Sequence, residues 1–153
     1  MVLTSVIRGK LPSTVQDENT MTMPTDTTAL VLEQLADALI IADVDGRIAG
    51  WNRAASDLFG YGADEALGQS LDLIIPERLR AAHWRGYQAA IESGKTRLSG
   101  KPTLTKAIHK DGRKLFVEMT FAVVGDAQGK SVGSVAVARD VTERVERERA
   151  QAA

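Results

Sequence analysis

Two side chains in this sequence titrate near neutral pH when unperturbed, His83 and His109. His83 lies in LRAAHWRGYQAAI, where helical spacing puts Leu79, Ala82, His83, Gly86, Tyr87, Ala90 and Ile91 on one face. An imidazole in such a stripe has two uses. It can be a core histidine hydrogen-bonded to a carbonyl, or a neutral nitrogen donor offered to a metal. The small residues Ala82 and Gly86 leave space beside the ring, whereas Trp84 points to another face and covers the helix flank. His109, beside the Asp111-Gly112 turn, reads as solvated. Other chemistries lack their residues. Cysteine is absent, which removes disulfides, thiolate catalysis, zinc ribbons and iron–sulfur ligation. There is no GxxxxGK[ST] loop, and the carboxylates fall in turns, caps and the C-terminal tail, so no enzymatic constellation is expected.

A chain of 153 residues, 44% hydrophobic, suffices for one domain with a core. The net charge of −1 suggests neither a nucleic-acid footprint nor a polybasic membrane patch. The apolar run ALIIA (Ala38–Ala42) is too short to span a bilayer, and the N-terminus lacks a basic signal-peptide region, so a cytoplasmic protein is expected. Residues 1–25 read as disordered, 26–140 as the packed domain, and 141–153 as a charged linker helix, with no internal repeat.

The elements that must position His83 follow from patterning. Thr27 to Ala38 is an amphipathic helix. LIIADVDGRIAGWN is a hairpin about Asp45-Gly46, a dipeptide suited to the positive φ of a tight turn. Short helical pieces broken by Gly60, Gly62, Gly68 and Pro76 precede a long helix from about Glu77 to Ser93. Three strands complete the chain: TLTKAIHK, RKLFVEMTFAVV and KSVGSVAVARD. The expectation is an α+β fold, a five-stranded antiparallel sheet with helices on one face. Asn52 is placed to cap the following helix, and Asp140 with Glu143 forms a capping signature for the last one. Along KLFVEMTFAVV, alternation puts Met119 and Phe121 on the inner face and leaves a half-apolar outer face suited to a dimer.

DGRIAGWNRAASDLFGYGADEALGQSL, IIPERLRAAH, HKDGRKLFVEM and VARDVTER, in that order and spacing, resemble a PAS domain over roughly Leu35 to Arg144. The resemblance implies a sensor or interaction module with a small-molecule pocket. It extends to haem-binding PAS gas sensors of the direct oxygen sensor type, in which a histidine on the long helix holds the iron. IPERLRAAH, the aromatic Tyr87 four residues on, and the spacing to Lys110-Asp111-Gly112 are similar to the pattern there. By that resemblance His83 is the metal ligand of haem b, and the pocket comprises His83, Tyr87, Leu98, Thr103, Met119, Phe121, Val135 and Val137.

This chain departs from the family on the distal side. Thr103 or Met119 stands where oxygen-sensing relatives carry an arginine, and Lys101 where the direct oxygen sensors carry a methionine ligand. Arg97 replaces the ligand of the histidine-kinase oxygen sensors, and the LOV cysteine is missing. The expected ligand is therefore CO, NO or a redox change rather than stably held O2, with Met119 available as a weak sixth ligand. The alternative is a cofactor-free interaction and dimerisation module, or a pocket for another small organic ligand, non-covalent flavin included. A homodimer is expected, built from the N-terminal helix (Thr27 to Ala38), the outer sheet face and the tail, whose seam of Val141 and Val145 docks on a second copy. The downstream signalling protein is not identified by the sequence.

Overall fold

The computed structural model describes residues 26–153, so the expected disorder of 1–25 lies outside it. Five antiparallel strands form one sheet: β1 (Ala38–Asp43), β2 (Ile48–Trp51), β3 (Thr103–Ile108), β4 (Lys114–Gly125) and β5 (Ser131–Asp140), in the order β2-β1-β5-β4-β3. The N-terminal helix α1 (Thr27–Gln34) precedes β1. Between β2 and β3 lie α2 (Arg53–Phe59), α3 (Ala63–Ala66), a 3₁₀ turn at Leu71–Leu73, and the long helix α4 (Glu77–Ser93). Helix α5 (Thr142–Ala152) closes the described chain. This is the α+β architecture that the patterning predicts.

The inner face of the sheet carries the core. Phe59 and Val117 are fully enclosed, and Trp51, Ile40, Leu115 and Ala138 pack around them. Trp51 is held by its indole N–H, which donates to Ser56 Oγ (3.1 Å) and the Tyr61 carbonyl (3.0 Å). The core is dense under α2 and α3, whereas α4 has no fully buried residue along its whole length. A long helix that lies across a sheet yet buries nothing completely is standing off from it.

Asn52 ties the N-terminal region together. Its Oδ1 accepts from the backbone N–H of Leu39 (2.9 Å) and of Ala55 (3.0 Å), so it caps α2 as its position predicts. Its Nδ2 donates to the carbonyls of Leu32 (2.9 Å) and Asp37 (3.1 Å). One buried amide thereby satisfies four backbone groups drawn from α1, the connector that follows it, β1 and α2.

Three expectations need correction. The first helix ends at Gln34 rather than Ala38, because Ala38 is already paired with Ala138 in the sheet. The capping box of Asp140 and Glu143 does not form. Instead Asp140 Oδ1 accepts from the Thr142 N–H (2.9 Å) and hydroxyl (2.6 Å), and Val141 is the residue that precedes the helix. The tail seam is not left for a second copy, either. Val141 and Val145 are buried against Phe116 on the outer face of β4, with the Arg149 guanidinium 4.5 Å from that ring and Arg144 paired with Glu118 at 3.3 Å. The seam is too thin for a coiled coil, but one aromatic on its own sheet suffices to cover it.

Replacing Asn52 with Ala leaves several backbone groups without partners in a dry setting, each worth about 1–3 kcal/mol when wholly unsatisfied. The expected loss is about 3 kcal/mol in urea unfolding at neutral pH. A loss below about 0.5 kcal/mol would show that water or local rearrangement replaces the amide.

Candidate functional site

The space under α4 divides into two cavities that meet at His83. One, of about 380 Å³, lies between the first half of α4, the Leu71–Ile75 region and strands β1, β3, β4 and β5. The other, of about 770 Å³, lies between the second half of α4, the segment from Lys95 to Leu98, and β4–β5. Both fall in the range of small-molecule sites. Ala82, His83, Tyr87, Phe121 and Ser134 border both.

His83 is set in an aromatic corner. Its ring centroid is 4.8 Å from that of Trp84, edge-on, and 5.8 Å from that of Tyr87. Nδ1 is buried and has no hydrogen-bond partner among the described residues. The core-histidine reading requires such a partner, so it fails at this atom. Burial pushes the imidazole pKa below its usual value, and the nearby Asp72 carboxylate offsets this in part. The ring is therefore neutral at pH 7, the form that offers a lone pair to a metal.

Its neighbours fix the corner. The Tyr87 hydroxyl donates to the Asp43 carbonyl (2.5 Å), which uses its one proton, so the contact with Ser134 Oγ at 3.1 Å has the serine as donor. Burial raises the Tyr87 pKa above the ordinary phenol value, keeping the proton in place. Trp84 donates from Nε1 to Asp72 Oδ1 (2.8 Å), and its six-membered ring edge abuts the β1–β2 turn at Gly46. A Cβ on Gly46, whose φ is +77°, would come within 2.2 Å of that indole. Glycine at Gly46 thus serves both the turn and the contact with α4.

Thr103 and Met119 are directly paired across β3 and β4 and line the smaller cavity with Phe121. Leu98 lines the larger one. Val135 and Val137 do not join them. They pair with Ala122 and Thr120 on the opposite face, and the inner positions of β5 are Ser134, Ala136 and Ala138. Large apolar side chains suggest a pocket wall, but the cavity exists because its central strand presents small ones there. Alternation counted from the Met119–Ala138 pairing would have revealed this, had the register been known. His109 also differs from expectation. Its side chain is 15% exposed and packs over Gly60, and Nδ1 accepts from the Asp111 N–H (3.1 Å), so it closes the β3–β4 turn instead of standing in solvent.

The five-stranded sheet and the long helix thus enclose space of small-molecule size. The PAS fold matches residues 28–141, and the chain belongs to the PAS family. It is 32% identical over 111 residues to the oxygen sensor protein DosP of Escherichia coli, covering 72% of this chain and 14% of that protein. Among solved structures, the PAS domain of a Colwellia psychrerythraea protein superposes with a TM-score of 0.67 at 24% identity, covering 77% of this chain and 97% of that one. An RNA-binding light-oxygen-voltage receptor superposes with a TM-score of 0.65 at 26% identity, covering 93% of this chain and 40% of that one. The chain thus spans a small part of the curated sensor it matches. No helix among the described residues is long and apolar enough to cross a membrane.

The depressed pKa of His83 has a consequence for stability. The unfolded chain takes up a proton on this imidazole at about pH 6.5, and the folded chain only at lower pH, so stability falls as pH drops below that value. Urea unfolding at pH 7.5 and pH 5.0 should show a larger acid loss for the wild type than for His83→Phe. Equal losses would mean that His83 is not shielded from water.

Proposed function

We propose that this PAS domain binds haem b through His83 and responds to a diatomic gas or to redox state. The observation that carries the proposal is His83 itself, a neutral imidazole at the junction of two mostly apolar cavities, with a buried nitrogen that no group among the described residues satisfies. Among the described residues no three His, Asp or Glu side chains converge to hold an ion. A metal at His83 would therefore have to bring ligands of its own, as an iron porphyrin does. Similarity to an oxygen sensor supports the same reading.

The residues fit the group. The walls around His83 are mostly apolar, and Phe121 and Met119 face it across the smaller cavity. Iron held there would supply a coordination site for a gas and a one-electron couple. The chain's part is to hold the imidazole in its aromatic corner and to decide what the opposite side offers. Lys106 is the one lysine or arginine lining the smaller cavity, while Thr103, Met119 and Phe121 offer no charged donor; these three favour CO or NO over stable O2. The domain senses and does not catalyse.

Output runs through β5, which borders both cavities at Ser134 and continues into α5, docked on Phe116. The partner is a second copy. Helix α1 and the residue after it leave Leu30, Val31 and Leu35 exposed, and the strands leave Leu104 and Val132 exposed, apolar surface for an isologous contact.

After haem reconstitution, wild-type protein should show a sharp Soret band that His83→Ala loses while remaining folded by circular dichroism. An identical spectrum in the variant contradicts the ligand. No Soret band in the wild type leaves a cofactor-free interaction module or another organic ligand. The ferrous form should take up CO and oxidise within minutes in air; an oxy complex lasting hours would overturn the distal reading. Sedimentation at tens of micromolar should give a dimer that Val31→Asp dissociates, and a wild-type monomer would remove the second copy.

A further inference from the structure

A metal-binding imidazole ordinarily donates its second N–H to a carboxylate, a carbonyl or a water, and that bond sets the plane of the ring. The buried Nδ1 of His83 meets no hydrogen-bonding group among the described residues, so no protein hydrogen bond at that atom sets the plane. Rotation about the last side-chain torsion of a histidine is only weakly restricted by itself. What flanks the ring is aromatic. Trp84 stands edge-on at a centroid separation of 4.8 Å with 78° between planes, and Tyr87 lies at 5.8 Å and 32°. Trp84 and Tyr87 also meet each other, at 5.6 Å and 75°. Edge-to-face pairs of this kind are attractive and directional.

Both flanking rings are anchored away from the imidazole. Tyr87 is held by the Asp43 carbonyl and Ser134. Trp84 is held at two points, since its Nε1–H donates to Asp72 Oδ1 at 2.8 Å and its far edge abuts Gly46. Asp72 is fixed in turn. Its backbone N–H donates to Ser70 Oγ (3.1 Å), and Arg80 donates to its carbonyl (3.2 Å). We infer that Trp84, tethered by Asp72, is a positioning residue that sets the plane of the His83 ring. The inference rests on the haem reading only for the metal that the ring serves. Asp72 acts through its bond to the indole, so a neutral acceptor in its place does the same work.

Carbon-13 relaxation of the His83 ring in the haem-free protein reads the restriction directly. Trp84→Leu and Asp72→Ala should both lose the restricted ring of the wild type. Asp72→Asn, which keeps an acceptor for the indole, should retain it. Trp84→Phe keeps an aromatic edge without the N–H, so adding Asp72→Ala to it should change nothing further. In the haem-loaded protein, Trp84→Leu should shift and broaden the iron–imidazole stretching band and speed haem transfer to an apoglobin acceptor ~10-fold or more. A ring as restricted in Trp84→Leu as in the wild type, with the fold intact by circular dichroism, overturns the inference. A ring as mobile in Asp72→Asn as in Asp72→Ala overturns the tether. Absence of the iron–imidazole band from the wild type would sink the haem reading alone, because the haem-free relaxation still decides what sets the ring.

Discussion

The Tyr87 hydroxyl, donating to the Asp43 carbonyl at 2.5 Å and accepting from Ser134, holds α4 at a fixed height above the sheet. Two other contacts support the helix, one at mid-length and one near its C-terminal end. Trp84 is tied to Asp72 and rests on the β1–β2 turn, and Ser131 Oγ donates to the Ile91 carbonyl at 2.6 Å. All three are polar or edge contacts rather than interdigitated apolar packing. Helix α4 is therefore positioned without being collapsed onto β4 and β5, and the space beneath it persists. Close packing is the default of a protein interior, so unfilled volume of this size needs such props. His83 matters because it stands four residues, one helical turn, before the tyrosine that does the propping.

The same arrangement links the cavity to the ends of the domain. Ser134 touches Tyr87 on the inner side of β5. Arg139, near the end of the same strand, holds Asp37 in a bidentate pair at 2.8 and 2.9 Å. That pair lowers the Asp37 carboxyl pKa, mainly through its hydrogen bond to the guanidinium, although exposure to water limits what it adds to stability. Asp37 also gives its carbonyl to Asn52. A displacement of β5 is thus felt in the connector after α1 and, through Val141, at the root of α5. These are the connections that a two-state output requires.

Much of this was legible in the sequence, for identifiable reasons. Asp45-Gly46 and Asp111-Gly112 specify hairpins locally, Asn52 is a strong cap, and the stripe around His83 follows helical spacing, so the hairpin pairings and the long helix could be anticipated. What was not legible depended on long-range register. The strand SVGSVAVARD is apolar on both faces, so nothing local says that Ser134 and Ala136 face inward while Val135 and Val137 face out. The docking of Val145 on Phe116 joins residues far apart in sequence and replaces a contact that the short apolar seam suggested for a second copy. His109 was misjudged because its burial depends on Gly60, a residue with no side chain to announce the contact.

The most direct test of the account is a crystal structure of the haem-reconstituted protein. The account predicts a porphyrin plane beneath α4, continuous density from its iron to a ring nitrogen of His83, and Tyr87 still bonded to the Asp43 carbonyl. Haem bound elsewhere on the surface, or iron ligated inside the cavity with His83 turned away, would contradict it.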